Sequence, residues 1–178
     1  MNKKPLIVNF FAGPGAGKST MASRVFSELK ERHYNAELIT EFAKDLTWEK
    51  STNVLDNQLF VFANQHHRLW RLSNDLDVVV SDSPLMLSLV YARDKTTNLF
   101  KQYVVEEFKS FNNINIILER VKKYNPKGRN QNEDQAKDID ELIKQILLEH
   151  DIEIHDTFPG NTQSVPLVVE LIENKMQE

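Results

Sequence analysis

Cysteine is absent from the 178-residue chain, which excludes disulfides and cysteine-ligated zinc sites. No apolar run approaches the roughly 18 residues of a membrane span. Positive charge is in short supply: 22 Lys and Arg stand against 26 Asp and Glu, too acidic a balance for a general nucleic-acid coat. Internal repeats, linkers and low-complexity stretches are missing too. Glycine is scarce, with five in all, yet three of them crowd together as Gly13, Gly15 and Gly17. A chain that avoids glycine elsewhere spends it where a backbone must turn tightly and approach something closely.

What is present describes a globular protein. At 20.7 kDa, with 40% hydrophobic and 27% charged residues, residues 1–178 fit one domain with an ample core. The opening MNKKPLIVNFFAG places two lysines before a short apolar run, as a signal peptide does. The glycines that follow read as functional rather than disposable, so the expectation is a cytosolic protein.

Hydrophobic periodicity gives strands at 5–11, 37–40, 76–81, 114–118 and 152–154. Helical patterns begin near Lys18 and cover 54–73, 97–111, 131–149 and 163–176, with another helix opening at Pro84. Strands alternating with helices predict a single α/β domain, a parallel sheet with helices on both faces.

Between the first strand and first helix lies Ala12-Gly13-Pro14-Gly15-Ala16-Gly17-Lys18-Ser19, followed by Thr20. This is the phosphate-binding P-loop pattern with alanine for its first glycine. Glycines let successive N–H groups curl around a phosphate, and the helix start aims its unpaired N–H groups at the same anion. Lys18 is expected to reach the β- and γ-phosphates of ATP, and the Ser19 hydroxyl to ligate Mg²⁺.

Acidic residues end two successive strands: Glu41 after ELIT and Asp82 after VVVS. Ligands of open parallel sheets bind at the carboxyl ends of strands, beside the P-loop. One carboxylate can therefore take a proton from an acceptor hydroxyl while the other orients Mg²⁺. Each could instead merely cap the helix after it. Residues 119–129 (ERVKKYNPKGR) carry a local charge of +4, leaving −8 for the rest of the chain. Arg120, Lys123, Lys127 and Arg129 suit a lid at about 120–130 that closes over the triphosphate, with Pro126 and Gly128 giving it mobility. A solvated loop or a DNA contact would also account for these charges.

No Asn-Lys-x-Asp guanine motif occurs, and 178 residues read as too few for the extra helical domain of ring-forming ATPases. A small kinase is therefore preferred over an ATPase that couples hydrolysis to a protein partner.

Together VNFFAGPGAGKST, ITEFAKDLTWE, VLDNQLFVFANQHHRL, VVVSDSP and NIILERVKKYNPKGR resemble the P-loop nucleoside and nucleotide kinase superfamily over nearly the whole chain. They are most similar to phage-type small kinases and the ribosylnicotinamide kinase-like group. The resemblance implies a three-layer P-loop NTPase fold, with a five-stranded parallel sheet in order 2-3-1-4-5 and a lid after the fourth strand. It implies ATP- and Mg²⁺-dependent transfer to a hydroxyl of a nucleoside, nucleotide or modified base, such as 5-hydroxymethyluracil in DNA, or to nicotinamide riboside. Lys18 and Ser19 match the family's lysine and Mg²⁺ hydroxyl, Asp82 its acidic position, and Arg120 and Arg129 its lid arginines. Asp82-Ser83 departs from the Asp-Arg of thymidylate kinases and the Glu-Arg of many deoxynucleoside kinases, so neither substrate transfers. For a phage-encoded chain the expected location is the host cytoplasm. DNA and a second copy of the chain stand open as partners.

The acceptor wall is expected along 41–49 and the 54–73 helix. There Gln58, Phe62 and Gln65 share a face and combine amides with a ring, as a base site needs.

Overall fold

The computed structural model describes residues 4–72, 75–92, 96–125 and 131–178. Strands β1 (Leu6–Phe11), β2 (Ala36–Ile39), β3 (Val78–Ser81), β4 (Asn112–Glu119) and β5 (Asp156–Pro159) form one sheet in the order β2-β3-β1-β4-β5. Every pairing is parallel, with Val8 opposite Val80 on one side and Ile114 on the other.

The strand sequences explain the layering, because successive side chains point to opposite faces. Leu6, Val8 and Phe10 join Val78, Val80, Ile114 and Ile116 beneath α1 (Lys18–Glu31) and α8 (Val165–Gln177). Ile7, Phe11, Val79 and Ile117 pack on the opposite face against α4 (Gln58–Trp70), α5 (Leu87–Ala92), α6 (Asn98–Lys109) and α7 (Glu133–Glu149). A sheet covered on both faces has no need of polar alternation, which is why its strands carry apolar side chains toward both faces; the buried Asn9 of β1 interrupts this and donates to Asn115 Oδ1 of β4 at 3.1 Å. Among the described residues no helix is long and apolar enough to cross a membrane.

Three elements differ from the periodicity. The 54–73 helix is divided into α3 (Thr52–Leu55) and α4, because the Asn57 side chain accepts from the Phe60 N–H and caps a new helix start. The short α2 (Phe42–Trp48) was hidden by its length and its single buried residue, Leu46. The last strand lies at 156–159 rather than 152–154. Asp151 has a φ of 52°, and the Ile152 N–H bonds back to Leu147 O, which folds Ile152 into the core as the closing contact of α7. Pairing with β4 then begins where the His155 N–H meets Asn115 O. Pro159 is tolerated because β5 is an edge strand.

Candidate active site

The P-loop runs from the end of β1 into α1. Gly15 and Gly17 have φ of 83° and 110°, values that side-chain-bearing residues adopt at a cost, so the loop curls as the pattern requires. Gly17 is the N-cap of α1 and uses no side chain to cap it, which leaves the first-turn N–H groups facing the cleft. Pro14, Gly15, Gly17, Lys18, Ser19 and Thr20 line a cleft of about 640 Å³, while Gly13 and Ala16 are buried behind it. The Lys18 ammonium donates to Ala12 O at 2.7 Å and Gly13 O at 3.2 Å, which holds it across the loop.

Gly160, after β5, supports this loop from behind. A Cβ there would collide with Ala16 O and come within 2.9 Å of Glu119 O, both backbone atoms. Gly160→Ala is accordingly expected to lower stability by about 1–3 kcal/mol and to weaken ATP binding by displacing the loop. Chemical denaturation and equilibrium titration check this; an unchanged midpoint would contradict the support.

Glu41 stands at the N-cap position of α2 yet makes no capping bond, so its carboxylate is not consumed by the helix. It faces the same cleft as Lys18. Burial pushes its pKa up; Lys18 draws it back, Asp82 raises it further, and Lys44 and Asp45 act more weakly in opposite senses. A carboxylate so placed holds a proton more readily than an exposed one, which suits a general base. Tyr91 also lines the cleft, and its hydroxyl pKa is raised by burial, then by Glu41 and Asp140. It therefore remains a hydrogen-bond donor at any physiological pH.

Asp82 is 4% exposed, and its Oδ1 has no hydrogen-bond partner among the described residues. Ser19 and Glu41 line the cleft while Asp82 lies beneath its lining, close enough to Glu41 to raise its pKa. A hydroxyl and an orphaned carboxylate oxygen are donors of the type a hard cation such as Mg²⁺ takes, one or two from the protein and the rest from phosphate and water. Among the described residues no cluster of three or more His, Asp or Glu could hold a metal by itself.

The wall expected to hold an acceptor is only partly assembled from the residues named for it. Gln58 lines the cleft with its Nε2 bonded to Leu55 O. Gln65 also lines it, but its Oε1 accepts from the Phe42 N–H and its Nε2 donates to Thr40 O. Its amide is thus committed to joining α4 to the β2–α2 turn. Phe62 lies in the core against Phe100, Tyr103 and His66, away from the cleft, so it is not a stacking platform for an acceptor. Helical spacing places Phe62 on a buried face but cannot say that α6 covers it. Trp48, Lys44, Thr47, Leu87 and Ser88 line the cleft instead.

The basic segment is divided in its placement. Arg129, Lys127, Pro126 and Gly128 lie outside the described residues. Arg120, expected over the triphosphate, is tucked behind the P-loop: its guanidinium forks onto Asp140 Oδ2 at 2.9 and 3.1 Å and donates to Pro14 O at 2.8 Å. Lys122 and Lys123 reach the cleft. Asp140 and Tyr91 have no signal in the sequence, since each acquires its position from helix packing alone.

The comparisons with known proteins agree with this architecture. The model of a family described as "AAA domain" matches residues 7–164, and the chain belongs to that family. A search of curated proteins finds no match. Among solved structures, the fold is similar to the APS kinase CysC of Mycobacterium tuberculosis in complex with AMPPNP and APS. The TM-score is 0.51 at 14% identity, covering 96% of this chain and 98% of that one. It is also similar to a deoxyadenosine kinase from M. mycoides with dCMP and dCDP bound, with a TM-score of 0.53, 14% identity and coverage of 97% and 98%. The chain has the fold of these P-loop kinases.

Proposed function

We propose that the protein is an ATP- and Mg²⁺-dependent kinase that transfers the γ-phosphoryl group to a hydroxyl of a nucleoside, nucleotide or modified base. The observation that carries this reading is Glu41: a carboxylate of raised proton affinity, uncommitted to capping, in one cleft with the P-loop lysine. A hydrolytic switch has less need of a base built into an acceptor wall.

In the proposed reaction the acceptor oxygen attacks the γ-phosphorus as its proton passes to Glu41. The bond to the β-phosphate bridging oxygen breaks, and ADP leaves with that electron pair. Lys18 and the loop N–H groups hold the phosphates and stabilise the charge spreading over the equatorial oxygens. The Tyr91 hydroxyl, which lines the same cleft and stays protonated, orients the acceptor. Ser19 and Asp82 would hold Mg²⁺, which neutralises phosphate charge when bound.

Asp82→Asn should therefore raise the Mg²⁺ concentration needed for half-maximal rate by about tenfold or more. A Mg²⁺ titration of the rate reads this, and an unchanged midpoint would return Asp82 to a structural role.

Labelled ATP incubated with nucleosides, nucleoside monophosphates, nicotinamide riboside, and DNA with or without 5-hydroxymethyluracil tests the reading as a whole. Label on any acceptor supports it. ADP released at the same rate with every acceptor, and stimulated only by a protein partner, would favour the ATPase alternative.

A further inference from the structure

We propose that Arg120 is a brace for the P-loop rather than a ligand of the phosphates. Paired with Asp140, it fastens the start of the basic segment and helix α7 to the loop, and the segment's charge on the transferring phosphoryl comes from Lys122 and Lys123. The second half of this statement rests on the kinase reading; the first does not.

Asp140 is the hub. Its Oδ1 accepts from the Gly13 N–H at 2.6 Å, and its Oδ2 takes both Nε and Nη2 of Arg120. Arg120 Nη1 donates to Pro14 O, and Nη2 also donates to Ala136 O at 3.4 Å. The two side chains are only 10% and 19% exposed, so this charge pair is shielded from solvent and its geometry is held by five bonds. Tyr124 closes over it, its ring 5.9 Å from the guanidinium and in contact range of Gly15. Packing is tight enough that a Cβ on Gly13 would lie 2.6 Å from Ala136 O and 2.8 Å from Asp140 Oδ1.

With four of its five N–H groups engaged, Arg120 keeps one Nη1 hydrogen and no donor pair to offer a phosphate. The residues between the two pinned positions behave oppositely. Lys122 and Lys123 are exposed, line the cleft, and form no ion pair among the described residues. Pinning Arg120 and Tyr124 behind the loop turns the intervening lysines toward the phosphates. Asp140 acts through Arg120 and Gly13, and is a positioning residue.

The test is a double-mutant cycle on nucleotide affinity, measured by titrating MgATP at equilibrium, with thermal melts to confirm folding. Arg120→Ala and Asp140→Asn should each weaken ATP binding by about tenfold, and the double variant should be no weaker than the worse single one. Arg120→Lys should behave like Arg120→Ala, because an ammonium keeps the charge but cannot fork. The Lys122→Ala/Lys123→Ala pair should instead lower kcat about a hundredfold while affinity changes less. Additive effects of Arg120 and Asp140, or rescue by Arg120→Lys, would overturn the brace. A silent lysine pair would overturn the assignment of charge. Absence of transfer to every acceptor would remove the kinase reading and the lysine role with it, while the ATP-binding cycle still judges the brace.

Discussion

Replacing Lys18 by alanine is expected to leave a folded protein whose phosphoryl transfer falls at least about a hundredfold. Lys18 opens α1 at the edge of the cleft, and its ammonium touches backbone carbonyls of the loop rather than core side chains. Removing it costs the fold little. The phosphates, by contrast, lose the one cation that the P-loop itself supplies. Because its charge meets the phosphoryl group most strongly as the bond to ADP breaks, the loss should fall on kcat as well as on ATP affinity. Steady-state rates and a thermal melt of the same preparation measure both. A folded variant with undiminished turnover would mean that the nucleotide is not bound as the loop dictates.

The second large effect belongs to Glu41. Glu41→Gln keeps the shape of the wall but removes the proton acceptor, so transfer should fall by about 10²–10⁴-fold while ATP affinity is retained. Its raised pKa makes the wild-type rate depend on pH in a definite direction. Activity should grow as pH rises through that elevated value, and the acid limb should lie above the ordinary carboxylate range. Stability moves the other way. A carboxyl group whose pKa is raised on folding adds stability that is fully present below its unfolded-state pKa and is lost as pH climbs through the folded-state value. Near neutral pH the raised proton affinity of Glu41 is a cost to the native protein that the uncharged glutamine variant does not bear. Glu41→Gln should therefore melt higher than wild type near pH 7, with the gap closing in acid. A variant both inactive and less stable at neutral pH would mean that Glu41 holds the structure together instead.

How far the sequence was legible depends on whether a residue's role is local. The place and shape of the P-loop could be read outright, because its glycines, lysine and hydroxyl lie within one strand–turn–helix. The nearness of Glu41 to Asp82 could be read from their places at strand ends, since a parallel sheet brings those ends to one edge. Asp140 could not, because only the packing of α7 against the P-loop brings it to Gly13, 127 residues away in the chain. Tyr91 and Gly160 were hidden for the same reason. Phe62 shows the converse limit, where spacing identifies a buried helical face without telling whether core or ligand lies against it. At β5, the alternation of Ile152 and Ile154 looked like a strand, but a left-handed residue at Asp151 spent Ile152 on ending α7.

The proposed transfer requires one cleft to hold both ATP and a hydroxyl whose proton Glu41 removes. A single-turnover reaction tests it most directly, with γ-labelled ATP bound to an excess of enzyme and an acceptor from the panel added, wild type beside Glu41→Gln. Wild type should place label on the acceptor hydroxyl, and the variant should keep its bound ATP intact. Label appearing as free phosphate from both proteins, whatever acceptor is present, would contradict it.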